Sequence, residues 1–239
     1  MKKFWLFGKV FVFMCAASIL LSGSVYDPPA DRPLAFVQKF KPNVDIKKSG
    51  ELQNVKKRGR PLYNNDTLRT NENGFALVQF MDKSLVKVKP ESQLVVQGEI
   101  EGKQNTNTRI GLETGEIFLN VANQSSENFE VATSTTVASV KGTEFGASSK
   151  NYFWVQEGRV QLLIDGSDET ATLTDQMYGQ VQQDGSIETG ELSKEEVETK
   201  RKDFDKMDKD LTPVIYELRF IDNNGQEQII KLRVFENDN

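Results

Sequence analysis

Apolar and polar residues alternate with a period of two along much of this chain. Ala76, Val78 and Phe80 are separated by Leu77 and Gln79, and Val86 and Val88 by Lys87 and Lys89. Asp82-Lys83-Ser84 supplies a turn between these runs. Pro90 ends the second, and Leu94 and Val96 begin another. Ile117, Leu119 and Val121 continue the series, followed by Phe129 and Val131, then Val140 and Phe145, then Phe153 and Val155, then Val160, Leu162 and Ile164. Asp165-Gly166-Ser167 and Asp184-Gly185-Ser186 are further turns. Short strands at this spacing predict a mainly β domain over 47–191, a sandwich, a barrel or a β-solenoid. Ahead of it, Pro28, Pro29, Pro33 and Pro42 make 25–46 read as a proline-rich linker.

The pattern changes after Glu191. Ser193-Lys194-Glu195-Glu196 has the form of a helix capping box. Val197, Phe204, Met207 and Leu211 recur near one helical face, so 193–211 is expected as a charged helix that packs by a thin stripe. Beyond Pro213, Val214, Tyr216, Leu218 and Phe220 share one face, and Ile230, Leu232 and Val234 share another. Asn223-Asn224-Gly225 lies between them, which predicts a β-hairpin over 213–236.

The first 24 residues read as an export leader. Lys2, Lys3 and Lys9 precede or interrupt an apolar start, Val10 to Leu21 is the apolar run, and Ser22-Gly23-Ser24 offers a cleavage site. The competing reading is an uncleaved inner-membrane anchor, for which the run is short. Cleavage removes Cys15, the only cysteine, and the chain has no histidine. That excludes disulfides, thiol nucleophiles and the commonest metal ligands. Loss of the three leader lysines from 30 basic groups, against 35 acidic ones, takes the net charge from −5 to −8. Such a chain is a poor ligand for nucleic acid or anionic lipid. A periplasmic or otherwise exported location follows, with no membrane span after cleavage.

The most ordered-looking stretch is Phe129-Glu130-Val131-Ala132-Thr133, followed by Val140-Lys141-Gly142-Thr143-Glu144-Phe145. Gly142 permits a backbone conformation or close approach that a side chain blocks, and Thr143 can bond the backbone at a corner. Val140 and Phe145 flank that corner and can face a core. The residues read as fold-specifying, and one glycine beside one lysine is no phosphate loop. Val155-Gln156-Glu157-Gly158-Arg159-Val160 follows.

Together with Gly59 and Leu62, Asp66-Thr67-Leu68-Arg69-Thr70, Gly74-Phe75-Ala76, Gly115-Glu116-Ile117 and Tyr178-Gly179, these segments occur in an order that resembles the FecR domain. That is the periplasmic domain of bacterial iron-citrate-type sigma-factor regulators. The resemblance runs from Asn54 to Val181 and departs at Lys83, Ser134 and Asp175, all at turns. It implies a non-catalytic periplasmic module that binds an envelope protein in signalling, with a link to iron or nutrient uptake. Family regulators usually carry a cytoplasmic segment and a membrane helix ahead of this domain. Here the domain follows an export signal, so a stand-alone exported version is expected.

Other constellations add little. Glu144 and Glu157 could neighbour each other, but no pattern places an acid and a base around a cleft, so no enzyme is expected. Asp203, Asp205, Asp208 and Asp210 do not match a calcium loop, and no cofactor or metal is expected. Lys56-Lys57-Arg58-Gly59-Arg60 reads as a charged loop. Alternation in Tyr152-Phe153-Trp154-Val155 sets Tyr152 and Trp154 on the outward face. They are a candidate partner contact unless the C-terminal elements cover them. An exposed pair would instead suit the alternative reading, a cell-wall or glycan-binding accessory protein.

Overall fold

The computed structural model describes residues 32–101, 105–123, 129–209, 213–221 and 226–235. The leader lies outside the described residues, as does the Asn223-Asn224-Gly225 turn.

Eighteen strands form two nine-stranded sheets. With β3 at Glu51–Asn54, β4 at Arg60–Leu62 and β16 at Thr170–Leu173, the first has the order β18-β17-β14-β13-β10-β7-β6-β1-β4, and the second β16-β15-β12-β11-β9-β8-β5-β2-β3. The elements that matter below are β1 (Ala35–Lys41), β2 (Val44–Lys48), β5 (Asp66–Thr70), β6 (Phe75–Phe80), β7 (Leu85–Val88), β8 (Gln93–Glu101) and β9 (Asn105–Thr114). They continue as β10 (Glu116–Asn120), β11 (Phe129–Ala132), β12 (Thr136–Val140), β13 (Glu144–Ser148), β14 (Tyr152–Glu157), β15 (Val160–Ile164), β17 (Met177–Val181) and β18 (Ile187–Glu191). From β6 onward the chain lays down β6–β7 in the first sheet, β8–β9 in the second, β10 in the first, and then β11–β12, β13–β14 and β15–β16 in alternation. The result is a sandwich through which the chain advances in solenoid-like steps. Pairing is antiparallel except between β9 and β11.

One apolar core fills the space between the sheets. Val78, Val86, Ile117, Leu119, Phe145, Phe153 and Val155 come from the first sheet, and Leu68, Leu94, Ile110, Val131, Val160 and Leu162 from the second. Side chains alternate across each strand, so a period-two sequence puts one apolar row into this layer.

Residues 35–46, expected as the end of a linker, instead form β1 and most of β2. β1 pairs with both β4 and β6, and Ala35, Val37 and Phe40 are in the core. Pro33 precedes β1 and Pro42 sits in the turn after it, so these prolines punctuate strands. A register shift between Val37 and Lys39 breaks the period-two pattern that would have revealed β1.

The helix α1 (Lys194–Lys209) begins with the capping box drawn in atoms. The Ser193 backbone N–H and Oγ each lie 2.8 Å from Glu196 Oε2, and the Glu196 N–H donates to Ser193 Oγ at 3.2 Å. These bonds hold the Glu196 carboxyl below its ordinary value. After α1 come β19 (Pro213–Ile221) and β20 (Glu227–Phe235), paired antiparallel as a separate two-stranded sheet.

Candidate partner-binding site

The glycine-threonine corner lies where the chain crosses between sheets. β12 ends at Val140 in the second sheet and β13 begins at Glu144 in the first. Gly142 makes the crossing with φ +58°, and Gly158 makes the return crossing with φ +105°. Thr143 is buried between the two. Its Oγ1 donates to the Arg159 carbonyl at 2.9 Å and accepts the Arg159 N–H at 3.2 Å. A Cβ on Gly158 would lie 2.9 Å from the Gly142 carbonyl oxygen and 2.9 Å from Thr143 Oγ1. The structure therefore brings Val140, Gly142, Thr143, Phe145 and Gly158 together at one rim, with Val140 and Phe145 in the core and Lys141 exposed.

Two of the departing turn residues find local solutions. Lys83 adopts φ +74°, a conformation that favours glycine. Asp175 uses its Oδ1 to accept the Gly158 N–H at 2.7 Å, which ties that turn to the corner.

The outward face of the first sheet carries the aromatic pair. Trp154 lies opposite Gly146 across β13–β14, and Tyr178 opposite Gly190 across β17–β18. A Cβ on Gly146 would come within 2.1 Å of the indole Nε1, so the ring lies flat over the glycine. Trp154 stacks on Phe118 at 5.5 Å, Phe118 meets Phe204 of α1 at 5.6 Å, and Tyr152 stacks on Tyr178 at 5.8 Å. Val197 and Phe204 complete this cluster from above, and Trp154 is only 5% exposed. Trp154 is thus covered by the helix and offers no open platform, the alternative foreseen for it. Tyr152 is half-buried beside it, with Lys200 Nζ 4.7 Å from its ring. Burial, and then the nearby Glu196, raise its phenol above the ordinary value.

Charges pin the helix over this face. Lys87 Nζ lies 2.9 Å from Asp205 Oδ1, and Arg201 Nε lies 3.2 Å from Asp205 Oδ2. Burial alone would raise the Asp205 carboxyl, but the hydrogen bond and charge of Lys87, followed by those of Arg201, hold it below its ordinary value. Asp203 lies 3.9 Å from Lys206. Two of the four clustered aspartates are therefore engaged in ion pairs. Among the described residues no group of three acids, histidines or cysteines could hold a metal ion. A cleft of about 240 Å³ remains between α1 and the sheet, walled by Trp154, Phe204, Lys89 and Glu116.

A second recess of about 410 Å³ lies at the β8–β9 end of the other sheet. Asn64, Asn65, Gln97, Asn107, Arg109 and Glu130 line it, and Arg109 and Glu130 are 3.3 Å apart. Its amides can exchange hydrogen bonds with a peptide or a polyol. Sequence reasoning missed it because its residues come from four separate segments, brought together only by strand pairing.

Two facing sheets visited in alternation, closed at the rim by glycine and threonine, define a two-sheet β module. Residues 66–161 match the family described as FecR protein. Two crystal structures of a candidate anti-sigma factor from Parabacteroides distasonis are similar, with TM-scores of 0.48 and 0.47 and 18% sequence identity in each case. The matches cover 55% and 56% of this chain, and 62% and 64% of the other, so it spans less than two thirds of that protein's length. No curated protein matches the chain. Among the described residues no helix is long and apolar enough to cross a membrane.

Proposed function

We propose that this chain is a non-catalytic FecR-type module that binds a protein partner in envelope signalling, exported to the periplasm after loss of its leader near Ser24. The observation that carries this reading is the FecR match over 66–161, the segment containing the rim built by Gly142, Thr143 and Gly158. A link to iron or nutrient uptake is part of the same proposal. The partner contact is assigned to the C-terminal hairpin. Within the described sheets β19 and β20 pair only with each other, so the hairpin offers strand edges on which a partner can add a strand. The glycan-binding alternative called for an open Tyr152–Trp154 platform, and α1 covers that face.

The test is site-specific photo-crosslinking in cells. A crosslinker at Arg233, in β20, should capture one envelope protein, whereas one at Ser167, in a remote turn, should not. Deletion of the gene should alter transcription of a discrete set of genes. Adducts to cell-wall polymer alone, or equal protein capture from both positions, would refute the assignment.

A further inference from the structure

A second apolar cluster lies on the outward face of the first sheet, beside the aromatic one. Phe75 is 0% exposed and Leu77 is 5% exposed, and Leu85 packs against them. These residues do not face the core, because Ala76, Val78 and Phe80 alternate with them and occupy it. Leu77 lies directly opposite Lys87 in the β6–β7 pair, and Lys87 reaches Asp205 of α1. The Phe75–Leu77–Leu85 cluster therefore shares the face that α1 covers.

The helix crosses that face in a definite direction. Just before it, the Leu192 N–H bonds to Gln176 at the edge of β17. Lys200 then lies over Tyr152 of β14, Phe204 over Phe118 of β10, and Asp205 against Lys87 of β7. The next strands in the sheet are β6 and β1. From Asp205 to Lys209 the helix advances about 6 Å, more than one strand spacing of about 4.8 Å. Three residues separate Lys209 from the start of β19 at Pro213. The helix's described end at Lys209 thus points toward the strands that bear Phe75 and Leu77.

The hairpin brings a matching surface. Its register pairs Val214 with Val234, Tyr216 with Leu232 and Leu218 with Ile230, with Phe220 on the same face. The other face pairs Ile215 with Arg233 and Glu217 with Lys231. A two-stranded hairpin is marginal in water unless its apolar face is covered. We propose that the Val214–Leu218 face of the C-terminal hairpin docks on Phe75, Leu77 and Leu85, so that α1 and the hairpin form one continuous outer layer on the first sheet. This goes beyond the partner reading: it fixes which hairpin face is spent within the chain, and leaves the charged face and the strand edges for a partner.

The test uses a buried thiol. In the full chain carrying Cys15→Ser and Leu77→Cys, the single cysteine should react with a maleimide at least tenfold slower than it does in denaturant. Leu85→Cys, at the half-buried margin, provides a second reporter. Adding Leu218→Asp, on the apolar face, should raise the rate at least tenfold, whereas Ile229→Asp, on the opposite face, should leave it low. With Trp5→Phe added so that Trp154 is the sole reporter, tryptophan fluorescence should stay blue-shifted in both. A red-shifted signal in Leu218→Asp would mean that the faster labelling reflects loss of the body's own packing and would overturn the inference. Removal of the first 24 residues should leave the thiol protected. An unchanged rate in Leu218→Asp would overturn the inference, as would an equal rise in Ile229→Asp. Loss of protection on removing the leader would assign the cover to the N-terminal segment instead.

Discussion

Trp154 and Gly146 make a sharp test of how the outer layer is built. The indole lies flat over Gly146, stacks on Phe118 and is roofed by Val197 and Phe204. Replacing it with alanine removes a buried aromatic, at a cost of about 3–5 kcal/mol. For a chain of this size 1 kcal/mol corresponds to about 2–4 °C, so Tm should fall by about 6–20 °C. Gly146→Ala acts on the same contact from below. Its Cβ would lie 2.1 Å from the indole Nε1 and 2.3 Å from Cε2, so the ring must shift off its packed position against Phe118 and Phe204. That overpacking should cost about 1–3 kcal/mol and shift Trp154 emission to the red. In the double variant the cost of alanine at 146 should vanish, because the new methyl enters space the indole has left. Denaturant melts of all four proteins read the coupling, expected at about 1 kcal/mol or more. Single effects that add to within about 0.5 kcal/mol would show that the ring does not rest on the glycine.

Two further outcomes follow from the rim and the helix. Gly142→Val should destabilise by about 1–3 kcal/mol in a denaturant melt, since φ +58° is strained for a β-branched residue and its Cβ would lie 2.9 Å from the Asn123 side chain; an unchanged midpoint would show that the corner tolerates a side chain. Asp205 is held below its ordinary value of 3.8, so its stabilising contribution is complete above that value and is lost as pH falls through the lower folded value. Asp205→Asn should therefore lower Tm at neutral pH and flatten its decline under acid; parallel acid limbs in the two proteins would rule out this pairing as a source of pH dependence.

The strands with clean alternation were legible because each has one face in the core. Val86 and Val88 of β7, and Val160, Leu162 and Ile164 of β15, are buried while their neighbours are not. The helix start was legible because a capping box is a local arrangement. β1 was hidden, since its shift at Val37–Lys39 breaks the period and prolines flank it. β6 was read from the alternation of Ala76, Val78 and Phe80, but Phe75 and Leu77 are apolar on the face that alternation would give to solvent, the mark of a second layer. The fate of Tyr152 and Trp154 depended on elements some 40 residues away, and alternation along one strand carries no record of what lies above it.

The same geometry explains why the family signature says little about the partner. At Gly142–Thr143 a buried hydroxyl stitches two crossings between sheets, and the device recurs along the rim. Thr70 Oγ1 donates to the Lys89 carbonyl at 2.6 Å and accepts the Ser92 N–H at 3.0 Å. Ser84 Oγ donates to Asp82 at 2.7 Å and accepts the Ala122 N–H at 3.0 Å. Each crossing leaves backbone groups without a strand partner, and burying them unpaired would cost about 1–3 kcal/mol apiece. A small hydroxyl or carboxylate at the corner satisfies them without widening the sandwich. The positions that identify the domain are thus committed to closing its rim. Recognition has to be written elsewhere, on surfaces the sandwich does not need for its own closure. In this chain the surfaces free of that task include the exposed side of α1 and the amide-lined recess near β8 and β9.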